Sequence, residues 1–197
     1  MISQMDLDNV IKILKEEGRV IAIKTDTVYG LICNAFDKKA TDKIYHIKNR
    51  ERRKPLSIFL KNTDEVKKYV DENNLTSFIK RIMEKYWPGA LTIIFKKKDD
   101  TFDNITSGVS SIGIRIPDDK NLLYILNNID FPLAQTSCNI SGEEEYRNAD
   151  EIRTKLGDVI DLIIDGGEVK DNKPSTILSV ECNEPIILRD GAIKLDV

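Results

Sequence analysis

Leu7, Val10, Ile11 and Leu14 recur at i, i+3, i+4 and i+7 behind Asp6, a residue suited to capping, and Gly18 follows as a stop. That spacing predicts a first helix with one apolar stripe. Residues 19–24 then form a short β-branched run that ends in the polar turn Thr25, Asp26, Thr27, so small hydroxyls stand at a strand end. A second helix is expected over 39–48 and a buried strand over 56–60. Helices are expected over 64–70 and 75–86, closed by Pro88 and Gly89.

Further strands are expected at 91–95, 112–116, 133–136, 159–164, 176–180 and 185–188, and further helices at 122–129 and 149–156. The late strands are separated by short turns rich in Asn, Gly and Pro. A parallel crossover needs a dozen or more residues, so these strands cannot all be parallel. The pattern predicts an α/β fold with an open, twisted, mixed parallel and antiparallel sheet flanked by helices. No internal repeat, low-complexity tract or long linker interrupts it, and 197 residues with 41% hydrophobic content suit one core. A single domain over 1–197 is expected.

Charge changes the picture in one place. The net charge is -3, which does not suit a protein that wraps nucleic acid. Residues 37–54 nevertheless hold eight Lys or Arg against three acids, a local +5 that leaves -8 for the rest. Three cysteines, Cys33, Cys138 and Cys182, form no Cys-x-x-Cys pair, so neither a disulfide framework nor a protein-held metal is expected. Nowhere do eighteen apolar residues follow one another. A cytoplasmic protein with no membrane segment is the expectation.

The candidate chemistry lies at strand ends. No Walker-type or dinucleotide glycine pattern occurs, and no Gly-x-Ser-x-Gly. The single histidine, His46, sits inside the second helix, which makes a Ser-His-Asp hydrolase hard to build. In its place stand Lys48 and Arg50, in a cationic exit from a helix ahead of Pro55. Side chains two apart there can point to one side and grip a polyanion, or merely complement the helix dipole. Thr136 to Gly142 clusters hydroxyls and an amide after a strand, and Pro174, Ser175 and Thr176 repeat the theme. Arg115, within the apolar run 112–117, is a buried cation that wants an anion if it does not face water.

With those residues in hand the chain resembles the YrdC/TsaC family, the L-threonylcarbamoyladenylate synthases. The matching blocks run in order along nearly the whole sequence: 25–31, 48–56, 87–92, 113–117, 136–142, 165–177 and 187–191. Three positions depart from the family pattern: Lys24 for proline, Cys138 for alanine and Phe59 at a site often polar. The sequence stops soon after Gly191, so the extra C-terminal domain of two-domain relatives is not expected.

The resemblance implies a concave basic groove that holds ATP and threonine side by side. Lys48, Arg50, Lys54, Ser111, Ser137, Asn139 and Arg189 would surround the nucleotide, with Lys48 and Arg50 catalytic, while Thr27, Arg115 and Ser175 would contact L-threonine. It implies ATP as a substrate with Mg2+, bicarbonate as the carbon source, and a tRNA-modifying transferase complex downstream. Two other readings keep the same groove. One is a module that binds double-stranded RNA or tRNA without chemistry, which steep salt dependence would reveal. The other is a YrdC-like carbamoyltransferase domain, which belongs to much longer chains with zinc-finger segments.

Overall fold

The computed structural model describes residues 2–182 and 185–196. Its frame is a nine-stranded sheet in the order β7-β1-β2-β6-β3-β5-β4-β8-β9. The strands are β1 (Ile21–Lys24), β2 (Tyr29–Asn34), β3 (Ser57–Phe59), β4 (Leu91–Lys96), β5 (Ser111–Arg115), β6 (Leu133–Ser137), β7 (Leu162–Ile163), β8 (Thr176–Ser179) and β9 (Ile186–Arg189). Three pairs are parallel, β1 with β7, β3 with β5 and β4 with β8, and the rest antiparallel. The mixed sheet is therefore as the turn lengths require.

Both faces are covered, but unequally. Helices α2 (Lys38–Ile47), α3 (Ser77–Tyr86), α4 (Asp103–Thr106) and α6 (Ala149–Leu156) pack a large core on one face, around Leu31, Ile58, Ile93, Phe95, Ile114 and Ala134. On the other face α1 (Gln4–Leu14) and α5 (Lys120–Asn127) cover only one end, where Leu7, Val10, Leu14, Leu122 and Ile125 meet Ile21, Ile32, Phe59 and Leu133. Successive side chains on a strand point to opposite faces. Residues two positions from Phe59 and Leu133, namely Ser57 and Gln135, thus share their face, yet lie beyond the two helices. There the apolar pattern gives way to small and polar residues, and the sheet is left open.

Several local expectations are corrected. Ser3, not Asp6, caps α1: the Ser3 hydroxyl accepts the Asp6 amide at 3.2 Å and the Asp6 carboxylate accepts the Ser3 amide at 3.0 Å. The acid serves at the third helical position of a capping box. The helix expected over 64–70 is a 3₁₀ turn, Thr63–Lys68, capped by Asn62. The strand expected at 159–164 shrinks to two residues at the sheet edge. β2 was not foreseen, because Tyr29 to Cys33 are all buried and show no alternation.

Candidate functional site

The uncovered stretch of sheet is the floor of a cavity of about 240 Å³. Gln135, Ser57 and Gly113 are register partners across β6, β3 and β5, so they form one row of that floor. Gln135 donates an amide hydrogen bond to the Ser57 hydroxyl. Gly113 is required by the close approach here: a Cβ on it would sit 3.0 Å from the Ser57 Cβ and 3.4 Å from the Thr92 methyl. Gly113→Val should therefore push branched methyls into the cavity and strain its floor. Stability should fall by about 1–3 kcal/mol and ligand affinity by more than tenfold, as read by thermal unfolding and calorimetry. Unchanged nucleotide and threonine binding in Gly113→Val would place the ligands elsewhere.

The walls come from strand ends distant in sequence. Thr27, Arg50, Ser111, Arg115, Ser137, Ser175 and Arg189 all line the cavity. Three arginines thus face one space, as a site for anions demands. Arg50 leaves the end of α2 and donates from Nε to the Lys54 carbonyl at 2.9 Å and from Nη2 to the Pro55 carbonyl at 2.9 Å. Three of its five donors remain for a ligand. Arg189, on β9, donates from Nε and Nη2 to the Ser175 carbonyl at 3.0 and 2.7 Å, and the Ser175 hydroxyl bonds Thr92 Oγ1 at 2.8 Å. Thr92 was not singled out from the sequence. Its contact with Ser175 crosses 83 residues, and no local pattern announces it.

Arg115 is buried, at 3% exposure, and its anion is Asp26. Nη2 donates to Asp26 Oδ1 at 2.6 Å, Nη1 to Thr27 Oγ1 at 3.0 Å and Nε to the Gly89 carbonyl at 3.0 Å. The sequence reading looked to a ligand for this anion, but the polar turn after β1 provides one. One hydrogen on each terminal nitrogen is left over for a ligand.

Lys48 and Asn139 lie behind the wall instead of on it. The Lys48 ammonium donates to the carbonyls of Ser137 and Asn139 at 2.5 and 2.8 Å and to Asn139 Oδ1 at 2.6 Å. Asn139 Oδ1 also accepts the Ser137 hydroxyl at 2.8 Å, and its amide group donates to the Glu143 carbonyl. All three ammonium hydrogens are engaged, so Lys48 acts through the loop it holds and through its charge. Each sequence pair, Lys48 with Arg50 and Ser137 with Asn139, places one member on the cavity and one as a brace. Lys54 is not brought in: its side chain is exposed and pairs with Glu51 at 3.7 Å, because the turn before Pro55 points it outward. His46 is exposed on α2.

Burial, and next the Arg50 cation, push the Lys48 ammonium down to about 8 from the usual lysine value of 10.5. The folded value lies below the unfolded one, so the unfolded chain binds more protons between the two. Burying this charge opposes folding below pH 8, and the penalty fades as pH rises toward 10.5. A polyanion in the cavity favours the charged form. ATP binding near pH 8.5 should therefore take up part of a proton, measured by calorimetry in buffers of different ionisation enthalpy. Lys48→Met should abolish the uptake; uptake retained in that variant would assign it to another group.

Comparison with known proteins gives the family. The family model Sua5/YciO/YrdC, described as telomere recombination, matches residues 13–191. The chain belongs to the Sua5/YciO/YrdC family. A putative threonylcarbamoyl-AMP synthase of Methanocaldococcus jannaschii is 40% identical over 197 residues, 98% of this chain and 91% of the relative. A threonylcarbamoyl-AMP synthase of Bacillus subtilis is 33% identical over 181 residues, 91% of this chain and 52% of the relative. Among solved structures, P. abyssi Sua5 complexed with L-threonine matches with a TM-score of 0.88 at 28% identity, covering 97% of this chain and 55% of that one. This Sua5/YciO/YrdC chain thus spans about half the length of the Bacillus and Pyrococcus proteins and nearly all of the Methanocaldococcus one. No helix among its described residues is long and apolar enough to cross a membrane.

Proposed function

We infer that this chain is an L-threonylcarbamoyladenylate synthase, which forms threonylcarbamoyl-AMP and pyrophosphate from L-threonine, bicarbonate or CO2, and ATP. The observation that carries this reading is the convergence of Arg50, Arg115 and Arg189 with the hydroxyls of Thr27, Ser137 and Ser175 on one cavity. Two anionic partners can be held there side by side. The names of the relatives point the same way.

The amine of threonine adds to CO2, losing a proton, to give an N-carboxylate. One oxygen of that carboxylate attacks the α-phosphorus of ATP, and the bond to the β-phosphate oxygen breaks to release pyrophosphate. Mg2+ carried on the ATP phosphates would offset part of their charge. Charge gathers on phosphate oxygens during transfer, so fixed donors placed beforehand carry most of the rate. On this reading Arg50, Ser137, Ser111 and Arg189 face the nucleotide, with the Lys48 and Asn139 brace behind. The Arg115 guanidinium takes the amino-acid carboxylate, and Thr27 and Ser175 satisfy its other polar atoms. The product serves threonylcarbamoyladenosine modification of tRNA through a further transferase.

The test is pyrophosphate release from ATP, Mg2+ and bicarbonate with each amino acid in turn. Threonine should support turnover. Valine, isosteric but lacking the hydroxyl, should give less than about one hundredth of that rate. Equal release with valine, or release that ignores bicarbonate, would refute the assignment.

A further inference from the structure

Lys48 and Arg50 occupy the end of α2, and the residue between them has an exposed side chain that makes no hydrogen bond among the described residues. Its backbone is unusual. Asn49 has φ 46, one of two non-glycine residues with positive φ among the described residues. The amide of Asn49 donates to the His46 carbonyl at 3.0 Å and the amide of Arg50 to the Tyr45 carbonyl at 2.9 Å. With Lys48 as the C-cap, these two bonds close a Schellman motif whose left-handed residue is Asn49. The motif turns the chain back on itself within one residue. Before the turn, Lys48 reaches the loop after β6 from two sides, by its ammonium to Ser137 and Asn139 and by its carbonyl, which accepts the Ser141 amide at 2.8 Å. After the turn, Arg50 lies along the cavity wall on the carbonyls of Lys54 and Pro55. A right-handed residue at 49 would extend the helix and point the two cations apart.

We propose that Asn49 is a positioning residue of the nucleotide site, acting through its left-handed backbone and not through its side chain. The middle of the Lys-x-Arg triplet thereby requires a residue that tolerates positive φ, of which Asn and Gly are the ordinary choices. The consequence for catalysis rests on the function proposed above; the consequence for the placement of Lys48 and Arg50 does not.

Three variants separate the backbone role from a side-chain role. Asn49→Gly removes the whole side chain yet keeps the conformation, and should leave pyrophosphate release and ATP affinity within about threefold of the parent. Asn49→Val, β-branched and ill suited to positive φ, should lower kcat roughly tenfold or more and weaken ATP, with threonine affinity little changed. Asn49→Ala should fall between, and it judges the idea should the valine protein fail to fold. A side-chain role predicts the opposite order, with glycine and alanine equally impaired. Glycine as damaging as valine, or valine with parental kinetics, would overturn the proposal. A readout that needs no substrate is the Lys48 ammonium signal in spectra of protein labelled with ¹⁵N-lysine. It should persist in Asn49→Gly and shift or vanish in Asn49→Val. Should the parent bind ATP but release no pyrophosphate with threonine, the functional reading fails, while that signal and the order of ATP affinities still decide the role of Asn49.

Discussion

Arg50→Ala is expected to lower threonine-dependent pyrophosphate release by about 10²-fold or more, the usual effect of deleting one preorganised donor to a developing charge. Arg50 keeps three donors free, against two for Arg115 and two for Arg189, whose Nη2 also donates to the Ser175 hydroxyl at 3.3 Å. Two of the Arg50 hydrogens are tied to the Lys54 and Pro55 carbonyls, which fix the guanidinium plane and leave three for a ligand. Burial lowers its affinity for a proton but leaves it charged at any working pH. Arg50→Lys should recover little, because a lysine cannot hold both carbonyls and present a planar fork. The loss should fall on kcat and on ATP, with threonine affinity nearly unchanged. A folded Arg50→Ala enzyme with near-parental turnover would remove the role.

Arg115→Ala should do two things at once. It strands the Asp26 carboxylate, which is 11% exposed and would keep, among the described residues, just the Asp118 amide at 3.2 Å, so stability should drop by about 3 kcal/mol. It also deletes the guanidinium proposed to take the amino-acid carboxylate, so threonine should bind at least tenfold more weakly while ATP binding changes less. The double variant Arg115→Ala with Asp26→Ala separates the two effects. It should recover part of the lost stability, because the orphaned charge is gone, without recovering threonine affinity. Calorimetry showing ATP more affected than threonine, or threonine binding restored in the double variant, would contradict the assignment.

The elements with a helical period were legible in the chain, as were the strands bounded by turns. Leu7, Val10 and Leu14 do bury against the sheet, and the mixed pairing of β4, β8 and β9 follows from connection lengths. What escaped was set by distance along the sequence. β2 lacks alternation because Tyr29 to Cys33 are all buried, so the period of two that marks a half-exposed strand is missing. The residue types at the site were also legible, as clusters of hydroxyls and cations at strand ends. Their division of labour was not. Lys48 finds its acceptors 89 and 91 residues away, and Arg115 finds Asp26 at a separation of 89. A one-dimensional pattern shows that a lysine and an arginine stand two apart, but not that one braces a loop while the other meets solvent. The left-handed turn between them is a local feature that Asn49 permits without announcing.

The floor shows how fold and site share one cause. Ser57, Gly113 and Gln135 continue strands whose neighbouring positions, Phe59 and Leu133, are buried under α1 and α5. Where those helices stop, large apolar side chains would meet water, and small polar residues take their place. The cavity exists because two helices cover only part of one sheet face.

A crystal soaked with L-threonine and a non-hydrolysable ATP analogue tests that arrangement most directly. The account predicts both ligands in this one cavity, with the threonine carboxylate on the free donors of Arg115, the phosphates against Arg50 and Ser137, and room for a carboxylated amine about 3–3.5 Å from the α-phosphorus. Nucleotide and amino acid bound on different faces, or phosphates remote from Arg50, would contradict it.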